Sequence, residues 1–279
     1  MKTILQLKTV KMKPFVFIVL LLACSCQTAN EEIGKAKMLY QEQQYNESIS
    51  ILTAVLSKIP KHAAALEYTG HCYHALGKYD SAYIFLTGAI QQRQKNYELF
   101  INAGDAAFKI DKPLEALNLF LAAYSIDSLH DDVNYNLAMV YWLKMQANQK
   151  ALQHLQREIE LNPTNAEAYA ALGQIYLTCD STDLALSYYD KAITLDAKNY
   201  MLYLNRGFAW CNAGNWNQAI NDFTVSNNLN NSIQDAIYYR AVAYLNTKKT
   251  ESACTDLNTI KPGNEFSKQA DSLLNVYCK

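Results

Sequence analysis

The chain has 279 residues, half of them apolar, with 25 basic against 26 acidic side chains. That is enough apolar material to bury a substantial core, and a near-neutral balance without a basic stripe excludes a nucleic-acid footprint. Nine glycines and five prolines beside 20 tyrosines favour continuous helix over a barrel or a disordered tract.

At the N-terminus Lys2, Lys8, Lys11 and Lys13 meet no acid and are followed by the apolar run Phe15 to Ala23. That order reads as an export signal. The run has nine residues, where a membrane-spanning helix needs about 20, so a permanent span is not expected. It closes on Leu21-Leu22-Ala23-Cys24, which resembles the lipobox of bacterial lipoproteins. The resemblance implies cleavage before Cys24 and lipid attachment to its thiol, each buried methylene of an acyl chain contributing about 0.8 kcal/mol to membrane binding. Cys26 is a second candidate, Met12 an alternative start, and an ordinary secretory signal with a chance cysteine the plainer reading. Residues 1–23 are therefore expected as the signal and 24–28 as a short tether. Losing the signal's four lysines leaves 21 bases against 26 acids, a net charge of −5.

Beyond the tether a small residue recurs at Ala36, Gly70, Gly104, Ala138, Gly173, Gly207 and Ala241, at intervals of 34 with one of 35. A second series keeps the same beat at Ser48, Ala82, Ala116, Ala151, Ala185, Ala219 and Ala253. Its longer interval comes one unit earlier, so the extra residue lies between Ala138 and Ala151, and the segment Lys144 to Lys150 is expected to form a lengthened turn. A missing side chain lets two helix backbones approach while a larger neighbour fills the groove. The larger neighbours stand four residues after the second series, at Leu52, Leu86, Phe120, Leu155, Tyr189, Phe223 and Leu257.

Gly77 and Gly214 suit the turns inside hairpins. Asn46, Asp80, Asp183 and Asn217 are expected to cap second helices, and Asn96, Asn165 and Asn199 first helices. Pro113 suits the first turn of a second helix, where its missing amide costs nothing. The pattern, clearest from Leu66-Glu67-Tyr68-Thr69-Gly70 to Ala82, Leu86 and Ala89, is similar to the tetratricopeptide repeat. The resemblance implies an all-α fold: a right-handed α-solenoid of about seven helix-turn-helix repeats over residues 29–262. A capping helix follows over 263–279, about Glu265 to Tyr277. The first unit departs from the pattern with Glu32 and Lys35 at usually apolar positions.

In this family the first helices line a concave groove, with the second, fifth, ninth, twelfth and thirteenth positions of each unit facing into it. Carried onto this chain, the resemblance implies a protein-binding groove of Ile101, Phe108, Tyr135, Met139, Trp142, Leu177, Leu204, Phe208 and Tyr238, joined by Asp105, Gln174 and Met201. Asn102, Asn136 and Asn205 lie one position further in, where some members use an amide to hold a peptide backbone. So much exposed aromatic and aliphatic surface suits a protein or peptide segment with apolar character. A tighter coil, in which these side chains pack on one another, is the alternative.

His71 and His74 share a helical face but lack a third ligand, so no metal is expected. Cys254 opens a second helix and Cys278 ends the capping helix, so a disulfide between them competes with two free thiols. No catalytic or phosphate-binding signature occurs, and neither enzyme activity nor a cofactor is expected. The expected role is an interaction scaffold of the bacterial cell envelope, exported and lipid-anchored, most simply to the outer membrane. Its membrane contact is the lipid alone. The alternative is an envelope glycan- or nutrient-binding lipoprotein, against which the near absence of residues outside the repeats counts.

Overall fold

The computed structural model describes residues 14–92, 96–130, 132–232, 234–260, 262–263 and 265–278, with side chains from residue 28 onward. The Cys24 side chain and residues 1–13 of the expected signal lie outside this set. Two compact units divide the chain, meeting between Ser128 and Leu129. The first holds three antiparallel hairpins: α1 (Pro14–Gln41) with α2 (Tyr45–Lys58), α3 (Ala63–Ala75) with α4 (Tyr79–Gln91), and α5 (Tyr97–Lys109) with α6 (Pro113–Ile126). The residues expected as a tether are helical, within α1.

The second unit opens with α7 (Val133–Met139), whose end widens into a π-helical turn over Val140–Lys144 before α8 (Asn148–Leu161). Three hairpins follow: α9 (Ala166–Thr178) with α10 (Thr182–Leu195), α11 (Tyr200–Asn212) with α12 (Trp216–Leu229), and α13 (Gln234–Asn246) with α14 (Thr250–Leu257). The last helix is α15 (Ser267–Tyr277). No strand occurs among the described residues, and none of their helices is long and apolar enough to cross a membrane.

The repeat works as its two series imply. All seven small residues of the first series are buried, and all seven large partners are at most 1% exposed. A β-carbon added at Gly70, Gly104 or Gly207 would stand 2.5–2.6 Å from Leu86, Phe120 or Phe223. Only hydrogen fits there, so the glycine sets how closely each hairpin closes.

Turn geometry repeats as strictly. Gln43, Gly77, Asp111, Gln146, Asp180, Gly214 and Lys248 all have φ between 54° and 73°, one in each hairpin. The amide three residues past each first helix then reaches back to a carbonyl of its last turn, as Lys78 N does to Tyr73 O at 2.9 Å and Asn215 N to Trp210 O at 2.9 Å. This is the Schellman closure, for which only Gly77 and Gly214 avoid a left-handed strain of about 1 kcal/mol.

This closure corrects the assignment of caps. The residues before the second helices are Gln44, Lys78, Ser181 and Asn215, none of which makes a side-chain capping bond. Asn46, Asp80, Asp183 and Asn217 instead fall inside the first turn, where Asp80 and Asp183 act through the helix dipole. First helices are capped as expected: Asn96 accepts from Leu99 N at 2.7 Å, Asn165 from Ala168 N at 3.1 Å and Asn199 from Met201 N at 3.1 Å. The extra residue is also placed differently. It widens the end of α7 rather than lengthening the turn, and Ala147 N reaches back six residues to Tyr141 O at 2.8 Å to close that hairpin.

Helix α15 lays Ala270, Leu273 and Leu274 on Ala241, Ala253 and Leu257. Cys254 and Cys278 are disulfide-bonded with Cα atoms 5.8 Å apart. Cap and seventh hairpin are thus joined both by apolar contact and covalently.

Candidate functional site

The two units give the expected inner-wall residues different surroundings. In the first, α3 and α5 are tied together by polar bonds. Asn96 Nδ2 donates to Glu67 Oε1 at 2.7 Å, Asn102 Nδ2 lies 2.8 Å from His71 Nδ1, and His74 Nε2 lies 2.8 Å from Asp105 Oδ2. Asn102 and Asp105, expected to face a guest, are therefore engaged within the protein, while Ile101 and Phe108 are half-buried beside them. Among the described residues no three His, Cys, Asp or Glu side chains converge as a metal site.

In the second unit the wall is open. Tyr135, Met139, Trp142 and Asn205 converge, with Gln174 and Met201, on a concavity of about 220 Å³ between α7, α9 and α11. Trp142 stands on the π turn and reaches the same space as Tyr135 and Met139. A neighbouring concavity is lined by Leu177 and Phe208, shares Gln174, and adds Cys211, Trp216 and Tyr239.

Three expected positions sit elsewhere. Leu204 is 3% exposed, packed in the core with Ala219, Ile220 and Phe223, so it is not available to a guest. Only packing can satisfy a leucine, whereas the adjacent Asn205 keeps its amide at the surface of the concavity. Tyr238 stacks on Phe266 at 4.7 Å and is covered by the lead-in to the cap. Asn136 is half-buried but outside the lining of either concavity. Phe208 is shared: it lines the second concavity yet packs edge-on to Tyr239 at 4.6 Å and against Phe223 at 5.5 Å.

Glu167 also lines the first concavity but was not singled out from sequence. It occupies the second position of the fifth unit, so the position rule that picks Gln174 and Leu177 reaches it when extended to the first turn of α9. Burial, and then the carboxylate of Glu167, push the Tyr135 hydroxyl up to about 12, so it stays protonated at neutral pH. Burial pushes the Cys211 thiol up to about 11, which keeps it protonated and unreactive.

A second feature missing from the sequence reading is a ladder of guanidinium forks. Arg206 on α11 donates from Nε and Nη2 to Asp222 at 2.7 and 2.6 Å, and from Nη1 to Asp190 at 2.6 Å. One repeat later Arg240 donates to Asp256 at 2.7 and 2.8 Å and to Thr224 at 3.3 Å. Each fork joins its own second helix to the preceding one, fixing the stacking of α10, α12 and α14. The spacing was visible, since both arginines and both paired aspartates are 34 apart.

Fold and wall together define a helical-repeat protein with an open inner surface in its second unit. Family models described as tetratricopeptide repeat match residues 39–103, 166–199 and 235–261, so these stretches are tetratricopeptide repeats. A tetratricopeptide repeat protein from Parabacteroides merdae superposes with a TM-score of 0.67 at 18% identity, over 91% of this chain and all of the other. The C-terminal part of a repeat-containing protein from Cytophaga hutchinsonii gives 0.66 at 19% identity over 87% and 99%. YrrB, whose structure is described as having an unusual peptide-binding site, gives 0.55 at 21% identity over 67% and 97%. Among curated relatives, anaphase-promoting complex subunit 3 of Schizosaccharomyces pombe is 39% identical over 80 residues, which is 29% of this chain and 12% of that protein. The matches to curated relatives span 12% to 35% of those proteins' lengths.

Proposed function

We propose that the protein is an interaction scaffold without enzymatic activity, exported and held at a bacterial envelope membrane, the outer one, by lipid on Cys24. It offers the inner wall of its fourth to sixth hairpins to an apolar stretch of another protein. The observation that carries this reading is the convergence of Tyr135, Met139, Trp142 and Asn205 on one open concavity. Rigid aromatic side chains in a shallow apolar cavity supply contact area at low entropic cost, the usual source of affinity in protein recognition. A described peptide-binding site in a protein of similar fold supports the reading. Export is supported by the Leu-Leu-Ala-Cys segment and by a disulfide, which persists in oxidising compartments.

Trp142→Ser is expected to weaken capture of a partner from native membranes by about thirtyfold, as loss of an interface aromatic does, with unchanged helical circular dichroism. Phe208→Ser is expected to lower stability by about 2–4 kcal/mol, because that ring also packs on Phe223 and Tyr239. Undiminished capture by the Trp142 variant would remove the wall from the binding site.

The anchor is tested separately. Cys24→Ala should abolish incorporation of labelled fatty acid and release the protein from membranes, and persistent labelling would move the lipid to another residue.

A further inference from the structure

We propose that the concavity between α7, α9 and α11 receives a cationic side chain, arginine before lysine, carried by an otherwise apolar segment; this rests on the groove reading above and names its guest. The lining holds a single charged residue, Glu167, and no base. Glu167 is exposed and makes no ion pair with any described residue, and its negative charge bears on the neighbouring Tyr135 hydroxyl. Glu167 shares the lining with two aromatic rings, Tyr135 and Trp142, two thioethers, Met139 and Met201, and the amide of Asn205.

Each class of guest meets this set differently. A purely apolar side chain would cover Glu167 and strip its water without replacing it, which is unfavourable for an ionised group. An anionic one would face it directly. A guanidinium satisfies both parts of the lining: its plane stacks on an indole or phenol face, its N–H groups reach a carboxylate and an amide oxygen, and its aliphatic stem lies on methionine and alanine. Arginine is favoured over lysine because its charge is planar, delocalised and more weakly hydrated.

The test uses three capped nine-residue peptides of leucine and serine, identical except for a central arginine, norleucine or glutamate. They are titrated into the full-length chain while fluorescence anisotropy and the ¹⁵N–¹H signal of the Trp142 indole are followed. The arginine peptide is expected to bind about tenfold more tightly than the norleucine peptide, with glutamate weakest, and to shift the Trp142 indole signal. Glu167→Gln should bring the arginine-to-norleucine ratio to about one. Asp183→Asn, a change of equally placed acid in the first turn of α10 and outside the lining, should leave that ratio unchanged. Equal binding of arginine and norleucine peptides, or a ratio preserved in Glu167→Gln, overturns the cationic guest while leaving the groove in place, because Trp142 still responds. No response from Trp142 to any of the three at millimolar concentration overturns both.

Discussion

Arg206→Met is expected to lower the stability of the unit that begins at Leu129 by about 3–5 kcal/mol, far more than an exposed ion pair is worth. The reason is Asp222. It is 4% exposed, and the Arg206 fork supplies two of its hydrogen bonds. Burial raises the pKa of this carboxyl and the guanidinium works against that rise, so removing the arginine takes away the main opposition to burial. The carboxyl then ionises less readily folded than unfolded. Its penalty is absent below the unfolded value of 3.8 and grows as the pH rises through the higher folded value. The deficit of the variant, read from urea unfolding, should therefore be largest near neutrality and shrink toward pH 4. The double change Arg206→Met with Asp222→Leu should recover most of the loss, since no charge remains buried. Asp190 is 59% exposed in its side chain, and Asp190→Asn should cost no more than about 0.5 kcal/mol. A single arginine variant as stable as the parent would mean that the fork carries no weight in the fold.

The second large effect lies where Gly207 meets Phe223. Phe223→Ala removes a fully buried ring and should cost about 3–5 kcal/mol. Gly207→Ala should cost about 1–3 kcal/mol, because its added carbon would lie 2.5 Å from Cε1 of that ring, and overpacking outweighs the better helix propensity of alanine. The two changes are coupled. Once the ring is gone the added methyl enters vacated space, and Gly207→Ala should turn stabilising by about 0.5–1 kcal/mol from propensity alone. Hydrogen exchange of α11 and α12 would localise the effect, as neighbouring repeats share interfaces but open in part independently. If Gly207→Ala costs the same in both backgrounds, the ring is not what keeps that position bare.

What the sequence made legible follows from which features a period can encode. A 34-residue beat carries the small residue, its large partner and the caps at Asn96, Asn165 and Asn199, because each depends only on its own hairpin. The boundary between core and wall is harder to read. Leu204 and Asn205 differ by about 100° around a helix axis, and packing by Ile220 and Phe223 decides which of the two is covered. Tyr238 was legible as an inner position, but not its cover by Phe266, which comes from outside the repeat. The amides of Asn102 and Asn205 are equivalent in register, yet only the former has a histidine opposite. Hairpin turns misled in another way. Aspartate or asparagine just inside a helix resembles a cap, and only the backbone shows that a left-handed residue has already closed the chain behind it.

One added residue could have displaced every repeat that follows it. The widened turn at Val140–Lys144 confines the insertion to a single coil, so the four-residue spacing between Ala151 and Leu155 continues undisturbed into later hairpins. Lengthening a chain by one thus becomes a means of re-aiming a ring without rebuilding the scaffold that holds it. In a modular array this offers a route to a new binding preference in one module, with the neighbours inherited unaltered.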